Sequence, residues 1–211
     1  MALHLTATTN LLFIGDSITD CGRREDPEKI GSGYVRIIRD FLRASHPASA
    51  PNIVNAGVSG DRVTRLADRW QADVLDLAPD VLSIKIGIND VWHNLAGKGE
   101  GVELERYTRV YDNLLAQTRT LLPRCEIILC EPSAIWPPQP ADGTAKLQPY
   151  IFAVRALALK HGISCVVPIH GAFEEAKRVR PDIDWAPDGV HPSSSGHMLI
   201  AHTWLRANGL L

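Results

Sequence analysis

The run Leu11-Leu12-Phe13-Ile14 is apolar without interruption and then stops at Gly15-Asp16-Ser17-Ile18-Thr19-Asp20, and this stop constrains the fold more than any other stretch. A short Leu/Ile/Phe run bounded by glycine predicts a strand buried on both faces, as in a parallel sheet. Ser17 then lies just past the carboxyl end of that strand, where open α/β sheets place their ligands. Its hydroxyl has two readings. It is either the N-cap of a following turn or a catalytic nucleophile, and the second holds only if a general base and oxyanion donors occur downstream.

Four more runs of this kind follow: 52–57, which ends at Gly57; 81–86, which runs into Gly87-Ile88-Asn89-Asp90-Val91-Trp92; 126–130; and 163–167. Between them apolar residues recur at three- and four-residue spacing. Tyr34, Ile37, Ile38, Phe41 and Leu42 predict a helix over 33–44, and Leu66, Trp70, Val74 and Leu77 predict one over 63–77 that Pro79 closes. Further helices are expected over 103–122, 147–161, 173–178 and from 193–195 to 207. Strands alternating with helices imply α/β architecture, a five-stranded parallel sheet covered on both faces as a three-layer α/β/α sandwich. Lys85 is the odd residue in a central strand. Either its stem carries the ammonium toward an edge or it pairs with a carboxylate that the sequence does not identify.

The 211 residues contain no linker, repeat or low-complexity tract, so one domain over 1–211 is expected. A formal charge of -2 and the lack of a basic run argue against a nucleic-acid partner. No stretch is long enough to span a membrane, and the first ten residues lack the basic region and apolar core of a secretory signal. Small neutral or polar molecules are left as partners, a homo-oligomer stays open, and the cytoplasm is the default location. The four cysteines, Cys21, Cys125, Cys130 and Cys165, show no CxxC spacing and read as buried reduced thiols. His191, His197 and His202 do not match a metal-site spacing, and the glycines from Gly57 to Gly60 match no phosphate-binding motif. No metal and no cofactor is expected.

Three predicted strands thus end in small or polar residues at one rim of the sheet: Ser17 after the first, Gly57 after the second, Asn89 after the third. A fourth element, Asp188-Gly189-Val190-His191-Pro192, comes near the far end of the chain. Acyl transfer needs a base touching the serine hydroxyl, a carboxylate that holds the base in one tautomer, and donors aimed at the developing oxyanion. His191, Asp188 and the Gly57/Asn89 pair are candidates for those three roles. Taken singly, each residue also has an ordinary structural reading as a turn glycine, a helix-capping asparagine or a loop histidine.

Gly15-Asp16-Ser17-Ile18, Asn55-Ala56-Gly57, Gly87-Ile88-Asn89-Asp90 and Asp188-Gly189-Val190-His191-Pro192 resemble the four motif blocks of the GDSL, or SGNH, hydrolase superfamily. The resemblance spans nearly the whole chain. It implies a flavodoxin-like strand order 2-1-3-4-5, Ser17 as nucleophile, His191 as general base and Asp188 as its orienting carboxylate. It also implies an oxyanion hole made by the N–H groups of Ser17 and Gly57 and the side-chain amide of Asn89. Ile18 stands where the family has leucine, a volume-conserving change.

Residues 13–22, 86–92 and 191–198 resemble bacterial acetylxylan-esterase-type members most. This implies short-chain, acetyl ester hydrolysis on carbohydrates such as xylo-oligosaccharides, inside the cell. Trp92, Trp136 and Trp185 follow the third, fourth and fifth predicted strands and could stack on a sugar or simply pack their loops. The alternatives are a thioesterase or lysophospholipase of the same superfamily, which needs a long apolar acyl groove, and a non-catalytic carbohydrate-binding protein. Pro132, Pro137, Pro138 and Pro140 should stiffen the loop after the fourth strand.

Overall fold

A computed structural model describes residues 2–133 and 142–211. Five strands, β1 (Asn10–Gly15), β2 (Asn52–Gly57), β3 (Val81–Lys85), β4 (Glu126–Cys130) and β5 (Cys165–Val167), form one parallel sheet in the order β2-β1-β3-β4-β5. Their carboxyl ends are in register: Gly15 lies opposite both Gly57 and Lys85, Lys85 opposite Cys130, and Cys130 opposite Val167. The chain leaves β1 outward to β2 and returns on the other side of β1 to β3. That reversal opens a crevice beyond the ends of β1 and β3, the place where such sheets bind ligands.

The helices are α1 (Ser17–Asp20), α2 (Tyr34–Ser45), α3 (Val63–Trp70), α4 (Ile88–Leu95), α5 (Leu104–Leu121), α6 (Gly143–Lys160), α7 (Ile169–Val179) and α8 (Ser194–Ala207). Right-handed crossovers place them in two layers. α8 packs on α2 and α7, while α5 packs on α3 and α6. Phe13 of β1 meets Tyr34 of α2 edge-on at 5.9 Å between centroids and Trp204 of α8 at 5.3 Å. The two largest buried rings also satisfy their polar atoms, because Trp204 Nε1 donates to Ser83 Oγ at 3.0 Å and Trp70 Nε1 to Thr118 Oγ1 at 3.2 Å. No helix among the described residues is long and apolar enough to cross a membrane.

Several elements depart from the sequence reading. Residues 88–95 form α4, to which the sequence reading assigned no element; Gly87, at φ 132°, makes the turn that a side chain would resist. α3 gives way to a π-helical turn over Gln71–Leu75 that absorbs one extra residue before β3. α6 begins at Gly143, four residues early, and carries Pro149 inside it. Lys85 does not reach an edge: it is fully buried in β3, between β1 and β4. All four cysteines are free, but Cys21 and Cys165 are only half-buried.

Candidate active site

β1 delivers the chain to Asp16, whose Oδ1 accepts the N–H of Ile18 at 3.0 Å and so caps the short helix that begins at Ser17. Cys21 closes that turn in the left-handed region, at φ 42°, and its N–H donates to the Ser17 carbonyl at 2.9 Å. The Ser17 backbone is thereby held from both sides. As the first helical residue, Ser17 has an N–H with no acceptor inside the helix.

The loop between α7 and α8 returns to the same place. Ser17 Oγ lies 2.9 Å from His191 Nε2, and His191 Nδ1 lies 2.6 Å from Asp188 Oδ2. An ionised carboxylate can only accept, so Asp188 fixes the ring proton on Nδ1 and leaves the Nε2 lone pair facing the serine hydroxyl. Asp188 Oδ1 accepts two further bonds, from His191 N–H at 2.7 Å and Val190 N–H at 2.9 Å. Burial pushes the Asp188 carboxyl up, but these three donors outweigh it and hold the group below the usual carboxylate range. The Asp188 and His191 side chains are 57% and 55% exposed, so this end of the constellation stands open to water.

The predicted oxyanion donors occupy the same rim with unequal freedom. Asn89, in the first turn of α4, is buried, and one of its amide hydrogens goes to the Asp61 carbonyl at 3.0 Å. The second remains for a ligand. Gly57 N–H already donates to Asn55 Oδ1 at 2.9 Å. Gly57 also has a packing reason to be glycine, because a Cβ there would collide with the backbone of Thr19 and Asp20.

Residues that the sequence reading left without a role hold this rim together. Asn55 donates from Nδ2 to the carbonyls of Thr19 (2.6 Å) and Ile30 (2.8 Å), tying β2 to the α1 turn. Arg69 donates to Ala56 O (2.7 Å), Gly15 O (3.1 Å) and Asp61 Oδ2 (2.7 Å), and Arg23 donates to Gly57 O at 2.6 Å. The only sequence-level signal was an asparagine in an apolar strand and an arginine on the inner side of a helix.

Two buried charged residues at this end of the sheet stand out. Asp16 and Lys85 are both fully buried, and Asp16 Oδ2 and Lys85 Nζ each lack a hydrogen-bond partner among the described residues. Burial raises the Asp16 pKa and the Lys85 charge opposes it; burial lowers the Lys85 pKa and the Asp16 charge opposes it. Lys85 reaches no edge and makes no ion pair or hydrogen bond with a carboxylate among the described residues; Asp16 acts on it only through its charge. His197 of α8 is neutral under physiological conditions, its pKa pushed down to about 4 by burial first and by the Lys85 charge second. Its Nδ1 accepts Tyr34 N–H at 3.2 Å.

Of the three tryptophans, Trp92 is half-buried against the core, and Trp185 lines an open, mainly apolar groove of about 570 Å³ with Met198, Leu199 and His202. Trp136, with Pro137, Pro138 and Pro140, lies outside the described residues. No group of three or more His, Cys, Asp or Glu side chains among the described residues is arranged to hold a metal ion.

A catalytic-type serine on a doubly wound sheet, with histidine and carboxylate in line, defines a class of ester hydrolases, and comparison with known proteins places the chain within it. Residues 13–199 match the GDSL-like Lipase/Acylhydrolase family, and the chain belongs to that family of carboxylic ester hydrolases. It is 37% identical to an acetylxylan esterase of Geobacillus stearothermophilus over 207 residues, 94% of this chain and 93% of that protein. The crystal structure of Axe2, an acetylxylan esterase from the same organism, superposes with a TM-score of 0.88 at 34% identity, covering 98% of this chain and 97% of that one. LAE5, an α/β hydrolase from the metagenome of Lake Arreo, Spain, gives 0.87 at 35% identity with the same coverage. Three further Axe2 structures are of catalytic mutants in which a serine, an aspartate and a histidine are each replaced by alanine, the last two spaced as Asp188 and His191 are here.

Proposed function

We propose that this chain is a serine esterase that removes acetyl groups from carbohydrates, acetylated xylo-oligosaccharides foremost, through a Ser17-His191-Asp188 triad and an acyl-enzyme. The observation that carries the reading is the continuous hydrogen-bonded line from Ser17 Oγ through His191 to Asp188, at 2.9 and 2.6 Å. His191 takes the Ser17 proton as Oγ attacks the ester carbonyl, then returns it to the departing sugar oxygen; water repeats the sequence on the acetyl-enzyme. Asp188 stabilises the imidazolium that forms between those transfers. The carbonyl oxygen, negative in the tetrahedral intermediate, is held by Ser17 N–H and the second amide hydrogen of Asn89. Gly57 N–H joins them by sharing its bond to Asn55.

The carbohydrate side of the reading is supported by the names of the relatives, both acetylxylan esterases, and by aromatic surface at Trp92 and Trp185 that can face a pyranose ring. Four free thiols fit action on soluble fragments in a reducing cytoplasm. One observation favours a second reading: the apolar groove beside Trp185 has room for a long acyl chain, as a thioesterase or lysophospholipase requires. Acetate release from acetylated xylobiose, compared with hydrolysis of octanoyl esters, acyl-CoA and lysophospholipid, separates the two. The acetylesterase reading expects the acetylated sugar to be turned over much faster; faster turnover of any long-chain substrate overturns it.

A further inference from the structure

α5 and α6 are helices of equal length, 18 residues each, packed side by side, and their outer faces differ in kind. The outward positions of α5 carry Glu105, Arg109, Asn113, Ala116 and Thr120, a solvated face. Those of α6 are Ala145, Pro149, Phe152, Ala156 and Leu159, all exposed and all apolar. Alternating four- and three-residue spacing keeps these five in one stripe along the helix. Phe152 is 57% exposed and Leu159 84%, the highest value for a large apolar side chain among the described residues.

The inner face of α6 is apolar as well, with Leu147, Tyr150, Ile151, Val154 and Leu157 buried against the fold. A helix that is apolar on both sides is suited to being covered on both, and contiguous exposed apolar surface marks a contact site. The exposed ring is also held in place: the Arg155 guanidinium sits 5.9 Å from the Phe152 centroid while its Nε donates to Glu131 Oε1 at 2.8 Å.

The pattern itself names the occupant. Reversed about Phe152, the stripe maps onto itself: Ala145 falls opposite Leu159, and Pro149 and Ala156 exchange places to within one residue. A second α6 laid antiparallel across the first therefore sets a small side chain against the most protruding one at each end, and ring against ring at the centre. Large into small is what lets two helices approach to about 8–10 Å between axes. The flanks agree with this. Antiparallel helices bring like flanks together, and Asp142 and Lys160 lie on one flank at opposite ends of the stripe, with Gln148 and Arg155 on the other. Asp142 of one copy thus comes near Lys160 of the other, twice over. Both side chains are more than half exposed, at 56% and 62%, beside Lys146 and Asp112 of their own chain. The two helix dipoles also oppose one another.

We propose that α6 is a dimer interface, two copies of this chain meeting through antiparallel α6 helices on a two-fold axis at Phe152. The contact is one helix wide and falls at the small end of specific interfaces, so the dimer is reversible, with a dissociation constant on the order of micromolar. α6 follows β4 and begins at the rim that carries Ser17, so the two-fold points the two rims to opposite ends of the dimer. The interface stands independently of the esterase reading.

Sedimentation equilibrium of the full chain between about 1 µM and about 1 mM tests it. The wild type should show a monomer–dimer equilibrium. Phe152→Glu should raise the dissociation constant about a hundredfold, because the change enters once from each copy. Ala145→Glu and Leu159→Lys should each weaken the dimer by tenfold or more, to about the same scale. Combined in one chain, Ala145→Glu/Leu159→Lys should recover most of the affinity, since each glutamate then faces a lysine of the other copy. Within one helix the two positions are roughly 21 Å apart and cannot pair. All three sites are exposed, so urea midpoints at low concentration should match the wild type; if Phe152→Glu fails to fold, Leu159→Lys reads the same face. A wild type that stays monomeric throughout, a dimer that survives both Phe152→Glu and Leu159→Lys, or single variants that the double variant does not rescue overturns the proposal.

Discussion

The side-chain amide of Asn89 donates one hydrogen to the Asp61 carbonyl at 3.0 Å, and that bond decides where its other hydrogen points. Asp61 is in turn held by Arg69 at 2.7 Å, and Arg69 also donates to the last carbonyl of β1, Gly15 O, and to Ala56 O near the end of β2. The carboxyl ends of the strands and Asn89, the proposed oxyanion donor, are thus one connected structure. On the proposed mechanism the Asn89 amide acts on charge that appears only in the transition state, so Asn89→Ala should lower kcat by roughly 10²- to 10³-fold with little change in KM. Steady-state kinetics on a short ester checks this. A change in KM alone would make Asn89 a ground-state binding residue.

Asp188 holds the His191 proton on Nδ1, so Asp188→Asn, which can donate to that nitrogen, allows the wrong tautomer. The expected loss in kcat is on the order of 10⁴-fold. A loss below tenfold in Asp188→Asn would mean that another group orients the imidazole.

Lys85 and Asp16 are both fully buried and act on each other through charge, and Asp16 immediately precedes Ser17; removing either leaves the other buried without that opposing charge. Lys85→Met should destabilise the protein by about 3 kcal/mol, while the double variant Lys85→Met/Asp16→Asn recovers most of that loss. Urea unfolding of the three proteins measures both terms. Asp16 caps the turn that carries Ser17, so the single variant should also lose activity most at acid pH, where a carboxylate without its counter-charge takes up a proton. A neutral Lys85→Met would remove the pair from the account.

Two buried groups push stability in opposite directions with pH. Burial raises the Asp90 pKa to about 7, so above pH ~4 the folded state keeps a proton that the unfolded chain releases; stability falls as pH rises through that window. Burial lowers the His197 pKa to about 4, so below pH ~6.5 the unfolded chain holds a proton that the folded state lacks; stability rises with pH there. Between pH ~4 and ~6.5 the two slopes, each about 1.4 kcal/mol per pH unit, offset one another. His197→Gln should therefore make the protein less stable as pH rises across that range, relative to wild type, and Asp90→Asn more stable. Denaturant midpoints at three pH values give both slopes, and slopes of the same sign would refute the assignment.

The sheet was legible because its strands are short apolar runs stopped by glycine or a polar residue, and all five were found in order. Ser17, Gly57 and Asn89 were candidates because those stops fall at one rim of the sheet, whereas Asp188 and His191 lie in the loop before α8 and were picked out by their resemblance to a family motif. α4 was not read from the sequence because it is only eight residues long, too short for apolar residues to recur over more than two turns. The partners of Lys85, Asn55 and Arg69 were hidden for a different reason. Asp16 lies 69 positions from Lys85 in sequence, and Arg69 grips carbonyls that belong to β1 and β2; such contacts depend on strand order and register, which periodicity does not encode.

The central claim is that Ser17 is the nucleophile activated by His191, and covalent labelling tests it most directly. The full chain is incubated with a phosphonate ester, the adduct is located by peptide mass spectrometry, and residual esterase activity is followed in the same samples. One adduct per chain is expected, on Ser17, formed in step with the loss of activity and slowed strongly in His191→Ala. A label on another residue, or full activity with Ser17 completely modified, would contradict it.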